Sequence, residues 1–319
     1  MITAFFKSTW GIVQSFRPVN LALIFGLHKI AQWVLIKDSA DLFYTPNLLI
    51  MRQSLVQLMW GSILLAAAGY LINDYYDQTT DRINKANKLS PIVTRSRVLF
   101  WSIWIGLNLF AFYLGFSIDA TTNQTSYGPL FFGISVILWA YNLSQWSKFI
   151  IGPLVISALV AFNLVLVHDL VFRAHDLGMN EAFTTEPFNN IWAWKTKWIW
   201  RIAYLGFITN FICEIIKDIE DINGDQNARR RTIPIVMGIA RTAKVAVALG
   251  FILILSIAAF IAVAINSSIA LSVNLAVALV LGIWITYKCS KIETQSQADS
   301  LSLMLKLLLV LGLICLVWL

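Results

Sequence analysis

The chain has 319 residues, 58% of them hydrophobic and only 13% charged. Its mean hydropathy is +0.72. Soluble domains carry about 25% charged residues, so the length is not read as two soluble domains but as one membrane domain over residues 1–319. The net charge of +7 does not point to nucleic acid, because Lys and Arg fall in short gaps between apolar runs and no basic soluble module exists.

A membrane span needs about 20 largely apolar residues. In chain order such segments lie near 18–36, 50–75, 97–117, 128–145, 149–168, 198–217, 243–265, 268–288 and 302–319. The fold expected is therefore all-α, a polytopic membrane protein of nine transmembrane helices around a central cavity. No small-residue cleavage site follows the first apolar stretch, so that stretch is read as a retained helix and not a signal peptide. The sixth segment begins in a run of Trp and Lys, and the gap before it, 169–197, reads as a long loop holding Glu181, Glu186, Trp192 and Trp194. Its position makes it non-cytoplasmic, either an interfacial cap or an unstructured insertion. Cys213, Cys289 and Cys315 lie in or beside apolar segments without paired spacing. That pattern excludes a disulfide framework and a zinc site. His28, His168 and His175 share no ligand spacing and are read as structural.

Nine spans put the chain ends on opposite sides, and basic residues choose the orientation. Most of the 24 Lys and Arg gather in alternate gaps, including Lys7, Arg82, Arg97, Lys148, Arg229, Arg230 and Arg231, whereas the gaps near 118–127 and 265–268 contain none. The expected location is the cell inner membrane, with the N-terminus inside and the C-terminus outside.

Two acidic clusters interrupt this apolar pattern. One closes the second span, Asn73-Asp74-Tyr75-Tyr76-Asp77-Gln78-Thr79-Thr80-Asp81, and the other closes the sixth, running from Glu214 through Lys217, Asp218 and Asp221 to Asp225. Both contain the frame D-x-x-D-x-x-x-D, as Asp74, Asp77 and Asp81 in one and Asp218, Asp221 and Asp225 in the other. Steps of three and four place side chains on one helix face. Three carboxylates on such a stripe repel one another, and the membrane boundary raises the cost. A hard cation relieves it, and Mg²⁺ prefers carboxylate oxygens, retained waters and substrate phosphate. Two facing stripes would hold Mg²⁺ ions with a diphosphate and turn it into a better leaving group. A single acidic helix end is ordinarily a solvated turn. The repetition of one frame, on helix ends expected to share the cytoplasmic side, argues for a shared site.

The pair N-D-x-x-D-x-x-x-D and D-x-x-D-x-x-x-D, about 140 residues apart, resembles the UbiA superfamily of intramembrane prenyltransferases. Arg17-Pro18-Val19-Asn20 is similar to that family's opening motif, and EIIKDIEDINGD followed by RRRTIPIVMG most resembles the branch that makes digeranylgeranylglyceryl phosphate. The resemblance covers nearly the whole chain. It implies Mg²⁺ held by Asn73, Asp74, Asp77, Asp81, Asp218, Asp221 and Asp225, and catalysis centred on Asp77, Asp81, Asp221, Asp225 and Lys217. A prenyl diphosphate and a hydrophobic acceptor would be the partners, within a lipid bilayer, with no obligate protein partner evident. Arg17, Asn20 and Glu214 would contact substrate. Where the family commonly has an Arg-Pro pair and a Ser-Gly turn, this chain has Lys88-Leu89-Ser90-Pro91-Ile92-Val93-Thr94-Arg95. The basic contact to diphosphate there is Lys85, Lys88 or Arg95. The segment Ser144-Gln145-Trp146-Ser147-Lys148 lacks the family's Leu-Lys pair, and Lys148 is the basic residue it offers.

From position alone, Asn73 lies one turn before Asp77 and either completes its metal site or bonds a neighbouring helix. Glu214 orients a ligand, acts on an acceptor hydroxyl or supports the other acids. Lys217 touches diphosphate or forms an ion pair, and Arg229, Arg230 and Arg231 are read as anchoring the loop to anionic lipid or setting topology. The reaction expected is ionisation-led alkylation of a lipid-like acceptor such as geranylgeranylglyceryl phosphate. Its rivals are prenylation of an aromatic acceptor, a membrane terpene cyclase and a non-enzymatic acid-lined transporter.

Overall fold

The computed structural model describes residues 11–37, 46–84, 90–123, 125–143, 149–176 and 186–319. Among them every regular element is a helix and no strand occurs. The helices are α1 (Pro18–Ile36), α2 (Pro46–Tyr76), α3 (Gln78–Asn84), α4 (Pro91–Arg95), α5 (Arg97–Thr122), α6 (Tyr127–Leu143), α7 (Ile151–Asp176), α8 (Glu186–Glu220), α9 (Ile222–Asn227), α10 (Ile233–Met237), α11 (Ile239–Ala264), α12 (Ile269–Cys289) and α13 (Gln295–Val317).

Each expected span falls on a helix. Eight of the helices are long and apolar enough to cross a membrane, and α6, with 17 residues, is shorter. The count of nine thus rests on α6, which sits at the bottom of the roughly 17–25-residue range of spans. The tail of that expected span, residues 144–148, lies outside the described residues.

The gap 169–197 is corrected most. α7 runs on to Asp176 and α8 starts at Glu186, so helix replaces loop over most of it. The cause lies in how the basic residues of Trp192-Ala-Trp-Lys-Thr-Lys-Trp are accommodated. Lys195 is buried and donates from Nζ to the Val34 carbonyl at 2.6 Å. One turn on, the Arg201 guanidinium lies 4.8 Å from the Trp198 ring centroid. Charges met in this way no longer oppose a helix, although they lower its hydropathy.

The described residues fall into two compact units. One draws on Met1–Lys29, Ser39–Gln145 and Leu170–Ala182, the other on Ile30–Asp38, Trp146–Asp169 and Phe183–Leu319. In the first, α2, α5 and α6 pack together. Small residues permit the close approach that helices in lipid depend on. A β-carbon at Gly115 would lie 2.9 Å from the Tyr127 carbonyl oxygen. Polar ties add to this packing. Asp119 caps α6, accepting from the backbone N–H groups of Ser126 (3.1 Å), Tyr127 (2.8 Å) and Gly128 (2.8 Å). Gln57 donates across to Ser117 at 2.8 Å. In the second unit α8 packs on α11 and α13, and α12 packs on α11 and α13. Asn210 donates to Ser157 Oγ at 3.2 Å, and Asn274 to the Leu311 carbonyl at 3.1 Å.

Candidate active site

The first acidic frame sits where α2 leaves its core. Leu71 and Ile72 are buried with Ile92, Val93 and Phe100, and Tyr75 stacks on Phe100 with centroids 4.5 Å apart. This apolar face fixes the helix, so Asn73, Asp74 and Asp77 fall on the partly buried polar side. α2 ends at Tyr76, Asp77 occupies a bend, and α3 starts at Gln78. Backbone bonding continues through the bend. Asp77 N–H donates to the Asn73 carbonyl at 2.8 Å and Asp81 N–H to the Asp77 carbonyl at 2.9 Å. The three aspartates therefore keep the helical spacing read from sequence.

The second frame folds in the same way. α8 ends at Glu220, Asp221 takes φ −100° and ψ 7°, and α9 begins at Ile222. Asp221 N–H donates to the Lys217 carbonyl at 2.9 Å and Asp225 N–H to the Asp221 carbonyl at 3.0 Å. Both frames thus break at their middle aspartate. Asp favours such interruptions because its side chain competes for nearby backbone groups.

In each frame an aspartate is paired with an arginine, Asp74 with Arg17 and Asp225 with Arg230. Arg17 precedes α1 with φ 49°, a left-handed conformation unusual for a residue with a β-carbon. Its N–H donates to the Gln14 carbonyl at 3.0 Å, and its own carbonyl accepts from Asn20 N–H at 2.9 Å. The guanidinium Nη2 then lies 3.2 Å from Asp74 Oδ1, with the group 4.9 Å from the Tyr70 ring centroid. Burial works against the charge of Arg17, but Asp74, Tyr70 and Asp77 outweigh it, so its pKa stands above the ordinary arginine value. In the second frame Arg229 takes φ 54°. The turn brings Arg230 Nη1 to 3.3 Å from Asp225 Oδ1, with Asp225 buried and Arg230 largely so.

The remaining expected residues are placed as follows. Asn73 donates from Nδ2 to Asp77 Oδ2 at 2.9 Å, which aligns that carboxylate. Glu214 and Lys217 form a 2.6 Å ion pair one turn apart. Asn20 lies in the first turn of α1, and Arg95 closes the short α4. Lys85, Lys88 and Lys148 lie outside the described residues. Arg17, Asn73, Asp74 and Asp77 are thus brought together in one unit, and Glu214 with Lys217 and Asp225 with Arg230 in the other. Sequence reasoning missed Arg230, which it assigned to lipid, and Tyr70. A separation of five residues from Asp225 follows no helical period, so no local signal marked Arg230.

Among the described residues no group of three or more His, Cys, Asp or Glu is gathered tightly enough to cage a metal ion. Mg²⁺ does not ask for a cage, because it keeps several waters and takes one or two carboxylates plus substrate phosphate. Asp77 with Asp81, and Asp218 with Asp221, offer hard donor pairs of that kind one turn apart. The residues therefore fit Mg²⁺ arriving with a phosphate ligand.

The model of the UbiA prenyltransferase family matches residues 40–311, which run through both units. The chain belongs to the UbiA prenyltransferase family. With its long apolar helices, it is an integral membrane protein. It is similar to the digeranylgeranylglyceryl phosphate synthase of Methanosphaera stadtmanae, 29% identical over 201 residues, 61% of this chain and 63% of that protein. The match thus spans a little under two thirds of that relative. The protein of the same description from Thermococcus sibiricus is 26% identical over 254 residues, 78% of this chain and 74% of its own length. Among solved structures, a UbiA homolog from Archaeoglobus fulgidus bound to GPP and Mg²⁺ has the same fold, with TM-score 0.55, 16% identity, and coverage of 96% of this chain and 99% of that one.

Proposed function

We propose that the chain is a Mg²⁺-dependent prenyltransferase of the cell inner membrane. It moves a prenyl group, of geranylgeranyl type, from its diphosphate to a lipid-like acceptor of the geranylgeranylglyceryl phosphate class. The observation that carries this reading is the doubled acidic frame, broken at the same aspartate in both copies and flanked each time by an arginine. Family membership and the names of the similar relatives support it. The Archaeoglobus structure, with its prenyl diphosphate and Mg²⁺, supports the ligand class.

In the proposed reaction the allylic carbon–oxygen bond breaks and its electron pair leaves on diphosphate. The acceptor hydroxyl oxygen then bonds the allylic carbon and gives up its proton. Mg²⁺ when bound neutralises charge on the leaving diphosphate. Asp77, Asp81, Asp218 and Asp221 would hold it, with Asn73 aligning Asp77. Arg17 and Arg230, fixed by Asp74 and Asp225, supply cationic charge without reorganisation. Glu214, paired with Lys217, would take the acceptor's proton. The acidic helix ends would face the cytoplasm, with the N-terminus inside and the C-terminus outside, and residues 1–319 would act as one prenyltransferase domain.

The test is to incubate purified protein with geranylgeranyl diphosphate, Mg²⁺ and a panel of acceptors. A prenyl ether of geranylgeranylglyceryl phosphate is expected, with turnover abolished by EDTA and restored by Mg²⁺. A prenylated aromatic acceptor would redirect the acceptor assignment, and a cyclised hydrocarbon would make the protein a cyclase. No diphosphate release under any condition would overturn the enzyme reading.

A further inference from the structure

The break at Asp221 is held from a distant part of the chain. Carbonyls in the last turn of a helix lack intrahelical donors. The carbonyl of Glu220, the last residue of α8, accepts from the side-chain amide of Gln295, the first residue of α13. The amide oxygen of Gln295 in turn accepts from Asn223 Nδ2. One side chain therefore grips the backbone just before Asp221 and the residue two positions after it. Gln295 is itself anchored. Thr294 caps α13 in a capping box with Gln297. Gln297 Oε1 also accepts from Glu293 N–H at 2.7 Å, and α13 packs along α8. In the first frame the corresponding side chain next to the break, Gln78, donates from Nε2 to the Tyr75 carbonyl, three residues back, at 3.0 Å.

We infer that Gln295 is a positioning residue for the second acidic frame, fixing the break at Asp221 and so the aim of Asp218 and Asp221. The inference rests on the proposed reading of that frame as a holder of Mg²⁺ and diphosphate. Without the bridge the turn keeps its aspartates but not their alignment. The loss then falls on metal affinity, and turnover with metal in place is spared.

The experiment measures diphosphate release against Mg²⁺ concentration in wild type, Gln295→Ala and Asn223→Ala. The hydrogen bonds lost correspond to a rise in half-saturating Mg²⁺ of roughly threefold to tenfold in Gln295→Ala. Saturated turnover stays within about twofold, the pattern of a lost binding contact. Asn223→Ala removes one of the two bonds on an exposed side chain. It shows a smaller shift in the same direction and serves if the Gln295 variant does not fold. Mn²⁺ binding in the presence of inorganic pyrophosphate, followed by electron paramagnetic resonance, weakens in parallel. Wild type releasing diphosphate in a Mg²⁺-dependent way, with both variants unshifted in metal response and Mn²⁺ binding, overturns this inference and leaves the proposed function standing. Wild type releasing none overturns both.

Discussion

Replacing Arg230 with Ala takes a cation away from a buried carboxylate, and the structure sets the size of the effect. Arg230 Nη1 lies 3.3 Å from Asp225 Oδ1, with the two side chains 11% and 5% exposed. At that separation opposite unit charges attract by about 5 kcal/mol at an effective dielectric of about 20. Removing one partner of a buried pair costs about 3–5 kcal/mol, in accord with the Coulomb figure. The bond from Arg230 N–H to the Asp225 carbonyl, 2.9 Å long, is backbone and survives the substitution. The loss is therefore one of side-chain charge. At about 2 °C per kcal/mol for a large chain, Tm in detergent falls by roughly 6 °C or more. Adding Asp225→Asn removes the buried negative charge that Arg230 balanced, so the double variant melts above Arg230→Ala alone. Intrinsic fluorescence melting on monodisperse protein reads both numbers. An Arg230→Ala variant that melts with wild type, or a double variant less stable than either single, refutes the reasoning.

Arg17→Lys keeps the charge but loses the planar group above Tyr70. It lowers diphosphate release by about tenfold, less than outright removal of such a contact costs because the charge is kept; near-normal release removes Arg17 from the site. Cysteines placed at Thr94 and Gln226 are labelled only from the cytoplasm and one at Asn123 only from outside. All three positions are exposed and the native thiols buried. Labelling of Thr94 and Asn123 from one side overturns the topology. Asp77→Ala and Asp221→Ala each cost roughly 10²–10³ in turnover, and the double variant falls well short of the product, as for groups acting as a unit. A folded single variant retaining more than about a tenth of turnover rules out shared work on one diphosphate.

Much of the fold was legible because lipid imposes a simple rule of length and apolarity. α11 and α12 read cleanly since nothing charged interrupts their middles. The first half of α8 did not, because Lys195, Lys197 and Arg201 depress its hydropathy. The compensation of Lys195 and Arg201, the Val34 carbonyl and the Trp198 and Phe260 rings, comes from residues distant in sequence or one turn away in a helix not yet known. The aspartate frames were legible because steps of three and four are a local property of a helix. Their counter-charges were not. Arg17 lies 57 residues from Asp74, and Arg230 meets Asp225 only through the left-handed turn at Arg229. The Glu214–Lys217 pair is local, but spacing alone could not choose it over a contact to diphosphate.

The arginines also change what each frame's three acids are for. If Mg²⁺ takes one or two protein carboxylates and fills its shell with water and phosphate, three aspartates per frame exceed its needs. In the first frame the first member, Asp74, is paired with Arg17, and in the second the last member, Asp225, with Arg230. The paired acid is at opposite ends of the two frames, while the middle aspartate at the helix break stays the common element. A guanidinium held by a carboxylate is a cation fixed in place before substrate arrives, which costs no reorganisation during the reaction. In the proposed reaction Asp74 and Asp225 would act through their arginines, and Asp77, Asp81, Asp218 and Asp221 would hold the metal. The six aspartates expected to bind Mg²⁺ would then divide into four that hold it and two that aim positive charge at the departing diphosphate.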